Sequence, residues 1–142
     1  MTGYLQKKKI AAVVLAAGQS KRMGAFKPLL QFGSTTVIGA CIKILRDGGA
    51  SEIVVVVSRQ ASEIIQHLKS ESVAIAVNNE PESEMGVSIA RGVELVSRDA
   101  AAILISPADI PAVTPEVVRA IITNWQKGPR LVVPKNIIKT TR

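Results

Sequence analysis

Five short apolar runs, separated by segments of helical periodicity, constrain this chain more than any other feature. The runs are Ile10–Leu15, Glu52–Val57, Val73–Val77, Ala101–Ile105 and Leu131–Val133. Several are apolar at nearly every position, the mark of a strand covered on both faces. Between them lie helical patterns. Thr36–Arg46 spaces Val37, Ile38, Cys41, Ile42 and Leu45 along one face and stops at Asp47-Gly48-Gly49. Ala61–Leu68 reads as a short helix, and Val87–Val96 puts Ile89, Val93 and Val96 on one stripe. Thr114-Pro115-Glu116 opens a further helix that runs to about Gln126: Thr caps, Pro takes the first position and an acid sits in the first turn. Strands alternating with helices predict an α/β fold, a three-layer α/β/α sandwich on a mostly parallel sheet. Ligands of such sheets bind beyond the carboxyl ends of the strands, where strand order reverses.

Composition narrows the class. With 142 residues and 47% apolar content, the chain has the mass of one globular domain. The net charge of +7 fits either a soluble basic domain or an anionic ligand and does not choose between them, while only 3% of residues are aromatic and the cations are scattered. That opposes a stacking platform for single-stranded nucleic acid. One cysteine, Cys41, excludes an internal disulfide and suggests a reducing, cytoplasmic setting. Lys7-Lys8-Lys9 before Ile10–Ala17 mimics a signal peptide. Its β-branched content and the cationic turn behind it favour a strand instead. No stretch approaches the roughly 20 apolar residues of a membrane helix.

The turn after the first run carries the chemistry. Leu15-Ala16-Ala17-Gly18-Gln19-Ser20-Lys21-Arg22-Met23-Gly24 leads to Lys27-Pro28-Leu29-Leu30. Glycine allows close approach of backbone N–H groups, and Lys21, Arg22 and Lys27 supply positive charge, so the turn suits a polyphosphate. It is not a Walker loop, since no Lys-Ser/Thr follows Gly24, and no G-x-G-x-x-G occurs. A second candidate is Ser106-Pro107-Ala108-Asp109-Ile110-Pro111, where Asp109 follows a strand between two prolines and offers a hard oxygen ligand. The third is Asn78-Asn79 with Ser88, at a strand end and a helix start. His67 reads as a surface or packing residue and Trp125 as a core or edge anchor.

The order of residues from Leu15 to Leu30 resembles the signature of MobA-like nucleotidyltransferases, and is most similar to that of molybdenum cofactor cytidylyltransferases. The resemblance implies a Rossmann-like nucleotidyltransferase fold, with residues 1–142 one domain that is incomplete at its C-terminus. It implies transfer of a nucleoside monophosphate, CMP from CTP, to a phosphorylated acceptor of the molybdopterin type, with release of pyrophosphate. Nucleotide-binding positions carried over are Leu15, Ala16, Ala17, Gly18, Gln19, Ser20, Arg22, Lys27, Asn79 and Ser88, with Arg22 and Lys27 catalytic. Asp109 would hold Mg²⁺ or Mn²⁺. A molybdoenzyme apoprotein is a further partner on this reading, and neither nucleic acid nor membrane is expected. Ala17 matches the cytidylyltransferases, whereas guanylyltransferases resemble Leu-Ala-Gly-Gly. Ile110 departs from the Gln that cytidylyltransferases favour, and Glu84 stands where Gly is expected. The alternatives are a relative that uses GTP or a sugar or polyol phosphate acceptor, and a nucleotide-binding module without turnover.

Overall fold

In a computed structural model the described residues are 8–17, 27–80, 83–108, 113–128 and 131–132, with Lys27 described by its backbone alone. The elements are β1 (Lys9–Ala16), a 3-10 turn at Lys27–Leu29, β2 (Gln31–Phe32), β3 (Thr35–Thr36), α1 (Val37–Gly48), β4 (Glu52–Ser58), α2 (Ser62–Leu68), β5 (Ala74–Asn78), α3 (Met85–Leu95), β6 (Ala100–Pro107) and α4 (Pro115–Gln126).

The strands β5-β4-β1-β6 form one sheet in that order, and every pair in it is parallel. The central strands β1 and β4 are the continuous Val/Ile/Ala runs, and Val13, Val14 and Val54 to Val57 are fully buried. Alternation along β1 divides the core. Ala12, Val14 and Ala16 face Ile38, Ile42 and Leu45 of α1, Ile64 and Leu68 of α2, and Val118 of α4. Val13, with Val54, Val56 and Ala76, faces the other way. There α3 lies close enough that a Cβ on its Gly92 would sit 2.4 Å from Val13 Cγ1. Helices therefore cover both faces, and the three-layer α/β/α expectation holds.

The connections locate the switch. From β1 the chain steps outward to β4 and then β5, with α1 and α2 on one face. It then returns along α3 on the opposite face to β6, on the far side of β1. Strand order thus reverses between β1 and β6. At the opposite, amino edge, Lys9 Nζ lies 3.5 Å from Glu52 Oε1, and Ser97 N donates to Glu52 Oε2 at 3.1 Å. These bonds tie strand starts together and leave the carboxyl edge to other uses.

Several details differ from the periodicity reading. Thr36 is the N-cap of α1, not its first residue: its hydroxyl accepts from Gly39 N at 3.2 Å. The helix also runs on to Gly48, because the reversal falls one residue later. Gly49 has φ 127°, and Ala50 N donates back to Leu45 O at 2.9 Å. The hairpin β2–β3 has no counterpart in the sequence reading. Its strands are two residues long, too short for period-2 patterning, and it turns at Gly33 with φ 61°. Leu131 and Val132 are not in a strand, Leu131 being 80% exposed, and Val133 lies outside the described residues.

Candidate nucleotide-binding site

Both halves of the candidate site begin from hydrogen-bonded neighbours. Leu15 is paired with Pro107 of β6, and Ala16 with Val57 of β4. Beyond the ladder, Ala108 N donates to Leu15 O at 3.1 Å. The attachment points of the Gly18 turn and of Asp109 are therefore side by side at the carboxyl edge, at the reversal of strand order, although over 90 residues separate them in the chain. Ala108 is 1% exposed and packs into the α1 side of the core, which fixes that attachment. Ala16 is buried on the same side, while Leu15 and Ala17 pack toward α3. Gly18, Gln19, Ser20, Lys21, Arg22 and Asp109 themselves lie outside the described residues.

The far end of the turn is anchored as well. The backbone of Lys27 opens a 3-10 turn whose Pro28 is buried and whose Leu29 packs into the core. Leu30 O then accepts from Val37 N, the first residue of α1, at 2.9 Å. Thr36, capping that helix, shares a 2.9 Å hydrogen bond with His67 Nε2 of α2. His67, which the sequence suggests is a surface or packing residue, thus ties α2 to the cap of α1 through a side-chain hydrogen bond. A Cβ at Gly39 would crowd Thr35 Oγ1, so a larger residue here requires that hydroxyl to turn aside. Residues 18–26 therefore connect the end of β1 to the 3-10 turn at Lys27–Leu29.

The third candidate group is rearranged. Asn79 is exposed, and the buried residue is Asn78, 4% exposed at the end of β5. Asn78 Nδ2 donates to Ser88 Oγ and to Ser83 Oγ, both at 2.9 Å, and its Oδ1 accepts from Glu80 N at 2.9 Å. Ser88, 8% exposed in the first turns of α3, is therefore a partner of Asn78 first. The sequence names both asparagines and carries only Asn79 over as nucleotide-binding, whereas the buried, hydrogen-bonded one is Asn78. Its signal is slight: a side chain able to both donate and accept at the last position of an apolar strand.

Among the described residues no three His, Cys, Asp or Glu side chains group as a metal site. None of their helices is long and apolar enough to cross a membrane. Cys41 is 3% exposed within α1, a small core residue as expected. Trp125 is half-buried, with Lys8 Nζ 5.7 Å from its ring centroid.

Residues 12–137 match the MobA-like NTP transferase domain. The chain belongs to that family. Among curated relatives, the bifunctional protein GlmU of Geotalea daltonii is 28% identical over 116 residues, 80% of this chain and 25% of GlmU. Nicotine blue oxidoreductase of Paenarthrobacter nicotinovorans is 30% identical over 125 residues, 84% of this chain and 58% of its own. Among solved structures, a nucleotidyl transferase from Methanothermobacter thermautotroptrophicus superposes with a TM-score of 0.73 at 33% identity, over 81% of this chain and 57% of that one. Rv0371c of Mycobacterium tuberculosis, solved in complex with manganese, gives 0.67 at 28% identity over 84% and 61%. The family and the sheet agree with the expectation drawn from Leu15–Leu30. The chain spans about a quarter of GlmU and less than two thirds of the other three proteins.

Proposed function

We propose that this MobA-like domain binds a nucleoside triphosphate at the carboxyl ends of β1 and β6 and transfers its nucleoside monophosphate to a phosphorylated acceptor. The observation that carries this reading is the Ala108 N to Leu15 O bond. It joins the base of a glycine-bearing cationic turn to the base of an acidic one, at the reversal of strand order. Backbone N–H groups of Gly18, Gln19 and Ser20, with Arg22, would hold the triphosphate, Arg suiting a two-pronged contact with phosphate oxygens. Lys27, at the anchored start of the 3-10 turn, would sit by the α-phosphate and offset charge there. Asp109 would hold a divalent cation, Mg²⁺ or Mn²⁺. A single carboxylate fits that task when phosphates and water complete the shell. When bound, the cation supplies further neutralisation of phosphate charge. The acceptor's phosphate oxygen forms the new bond to the α-phosphorus, the α–β bridging bond breaks, and pyrophosphate leaves. Placement and charge suffice, so no dedicated base is required.

The finer reading is CTP as donor, supported by Ala17, and a molybdopterin-type acceptor, with residues 1–142 acting as one domain in the cytoplasm and a molybdoenzyme apoprotein as further partner. The manganese complex of Rv0371c supports the divalent cation. GTP, or a sugar or polyol phosphate acceptor, is the alternative within the same site. The test is binding of CTP and GTP, with and without Mg²⁺ or Mn²⁺, alongside pyrophosphate release in the presence of molybdopterin. Asp109→Ala is expected to keep a native melt and lose metal-dependent turnover by at least about 10²-fold. Normal metal-dependent turnover in that variant rejects the metal role. Absence of any nucleotide binding by the wild-type chain rejects the transferase reading.

A further inference from the structure

We infer that Asn78 is a positioning residue for the nucleotide pocket and acts through Ser88. This rests on the transferase reading above and goes beyond it, because Asn78 is not itself placed against ligand. Its amide is buried at the end of β5, on the carboxyl edge of the parallel sheet. Both ends of the amide are used. Nδ2 donates to Ser88 Oγ of α3 and to Ser83 Oγ of the connecting loop, and Oδ1 accepts from Glu80 N, each at 2.9 Å. Ser83 Oγ in turn donates to Glu80 O at 2.7 Å, which closes the loop on itself. One side chain therefore fixes the strand end, the loop and the first turns of the helix that crosses the sheet. At the helix start Glu84, the N-cap of α3, makes no side-chain cap bond, although its backbone O accepts from Val87 N at 3.0 Å.

The arrangement has a chemical consequence for Ser88. Its oxygen accepts from Asn78, so the hydroxyl proton is directed away from the amide, and Ser88 is held as a donor. A donor suits phosphate or ribose oxygens. Without the amide the hydroxyl is free to rotate and the loop loses two bonds, so a contact from this face is no longer pre-formed.

The experiment measures CTP and GTP affinity with Mn²⁺ for the wild-type chain, Asn78→Ala, Ser88→Ala and the double variant, each with a urea melt. We expect each single variant, fully folded at the assay concentration, to weaken nucleotide binding at least tenfold. The double variant should lie within about twofold of the weaker single, because the two side chains act as one unit. A purely structural role would lower the melt and leave the affinity of the folded fraction unchanged. That outcome overturns the inference, as do losses that multiply in the double variant. Should Asn78→Ala fail to fold, Asn78→Asp takes its place: it keeps the acceptor for Glu80 N, removes the donor to Ser88 Oγ so that the serine proton turns toward the carboxylate, and should give the same tenfold loss. A wild-type chain that binds no nucleotide overturns the transferase reading instead, so the two failures are distinguishable.

Discussion

Replacing Gly92 with alanine sets two effects against each other. Alanine in a helix interior is better than glycine by about 1 kcal/mol, since glycine loses more backbone entropy on folding. Local propensity alone thus predicts stabilisation. The packing of α3 predicts the opposite sign. A Cβ at residue 92 would lie 2.4 Å from Val13 Cγ1 and 2.8 Å from Val56 Cγ2. Carbon atoms in contact prefer roughly 3.5–4.0 Å, so about 1 Å must be found somewhere. It cannot come from Val13 or Val56, which are fully buried in the two central strands. The helix must lift, and overpacking of this kind costs about 1–3 kcal/mol. Set against the propensity gain, the net expectation is a loss of about 1 kcal/mol, or roughly 2–4 °C in Tm for a domain of this size. Gly86, in the first turn of the same helix, is the control. A Cβ there meets nothing within 4 Å, so Gly86→Ala should stabilise by about 0.5–1 kcal/mol. Urea unfolding of both variants, with m-values compared, reads the difference. If Gly92→Ala is stabilised as much as Gly86→Ala, the close approach of α3 to β1 and β4 is wrong.

Two further outcomes are expected. Lys27→Ala should lower kcat by about 10²–10³-fold while nucleotide affinity falls less than tenfold, and single-turnover kinetics beside a binding titration would separate the two. A loss confined to binding would place Lys27 away from the α-phosphate. Thr36→Ala removes both the α1 cap and the bond to His67, and should cost about 1 kcal/mol by urea melt, with Thr36→Ser recovering most of it. Equal stability of Thr36→Ala and wild type would show that the cap contributes nothing.

Much of the fold is legible in the chain because its signals are local. The Val/Ile/Ala runs of β1 and β4 need cover on both faces, and their limits came within a residue of those observed. Thr114-Pro115 predicts the start of α4, and Thr114 Oγ1 does accept from Val117 N at 3.3 Å. The short hairpin was not legible, because two-residue strands carry no period. Nor was the status of Leu131: an apolar run reads as a strand only if a neighbour pairs with it. At Asn78 and Asn79 the two candidates are chemically identical, and local pattern does not separate them: Asn78 is the last residue of β5 and Asn79 lies just beyond it. The strand end buries the first and exposes the second.

The sequence by itself determined the alternation of strand and helix, and the placing of Gly18, Lys21, Arg22 and Lys27 between the first strand and Leu30. It also carried the family resemblance. Only the tertiary structure decided that β6 returns beside β1. Strand order is a long-range choice, made when α3 crosses the sheet on the face away from α1 and α2, with Gly92 close against Val13 and Val56. Local periodicity reports which face of an element is apolar and says nothing of which partner will cover it. That single crossing sets Ala108 against Leu15, and so brings the bases of the cationic and acidic turns together.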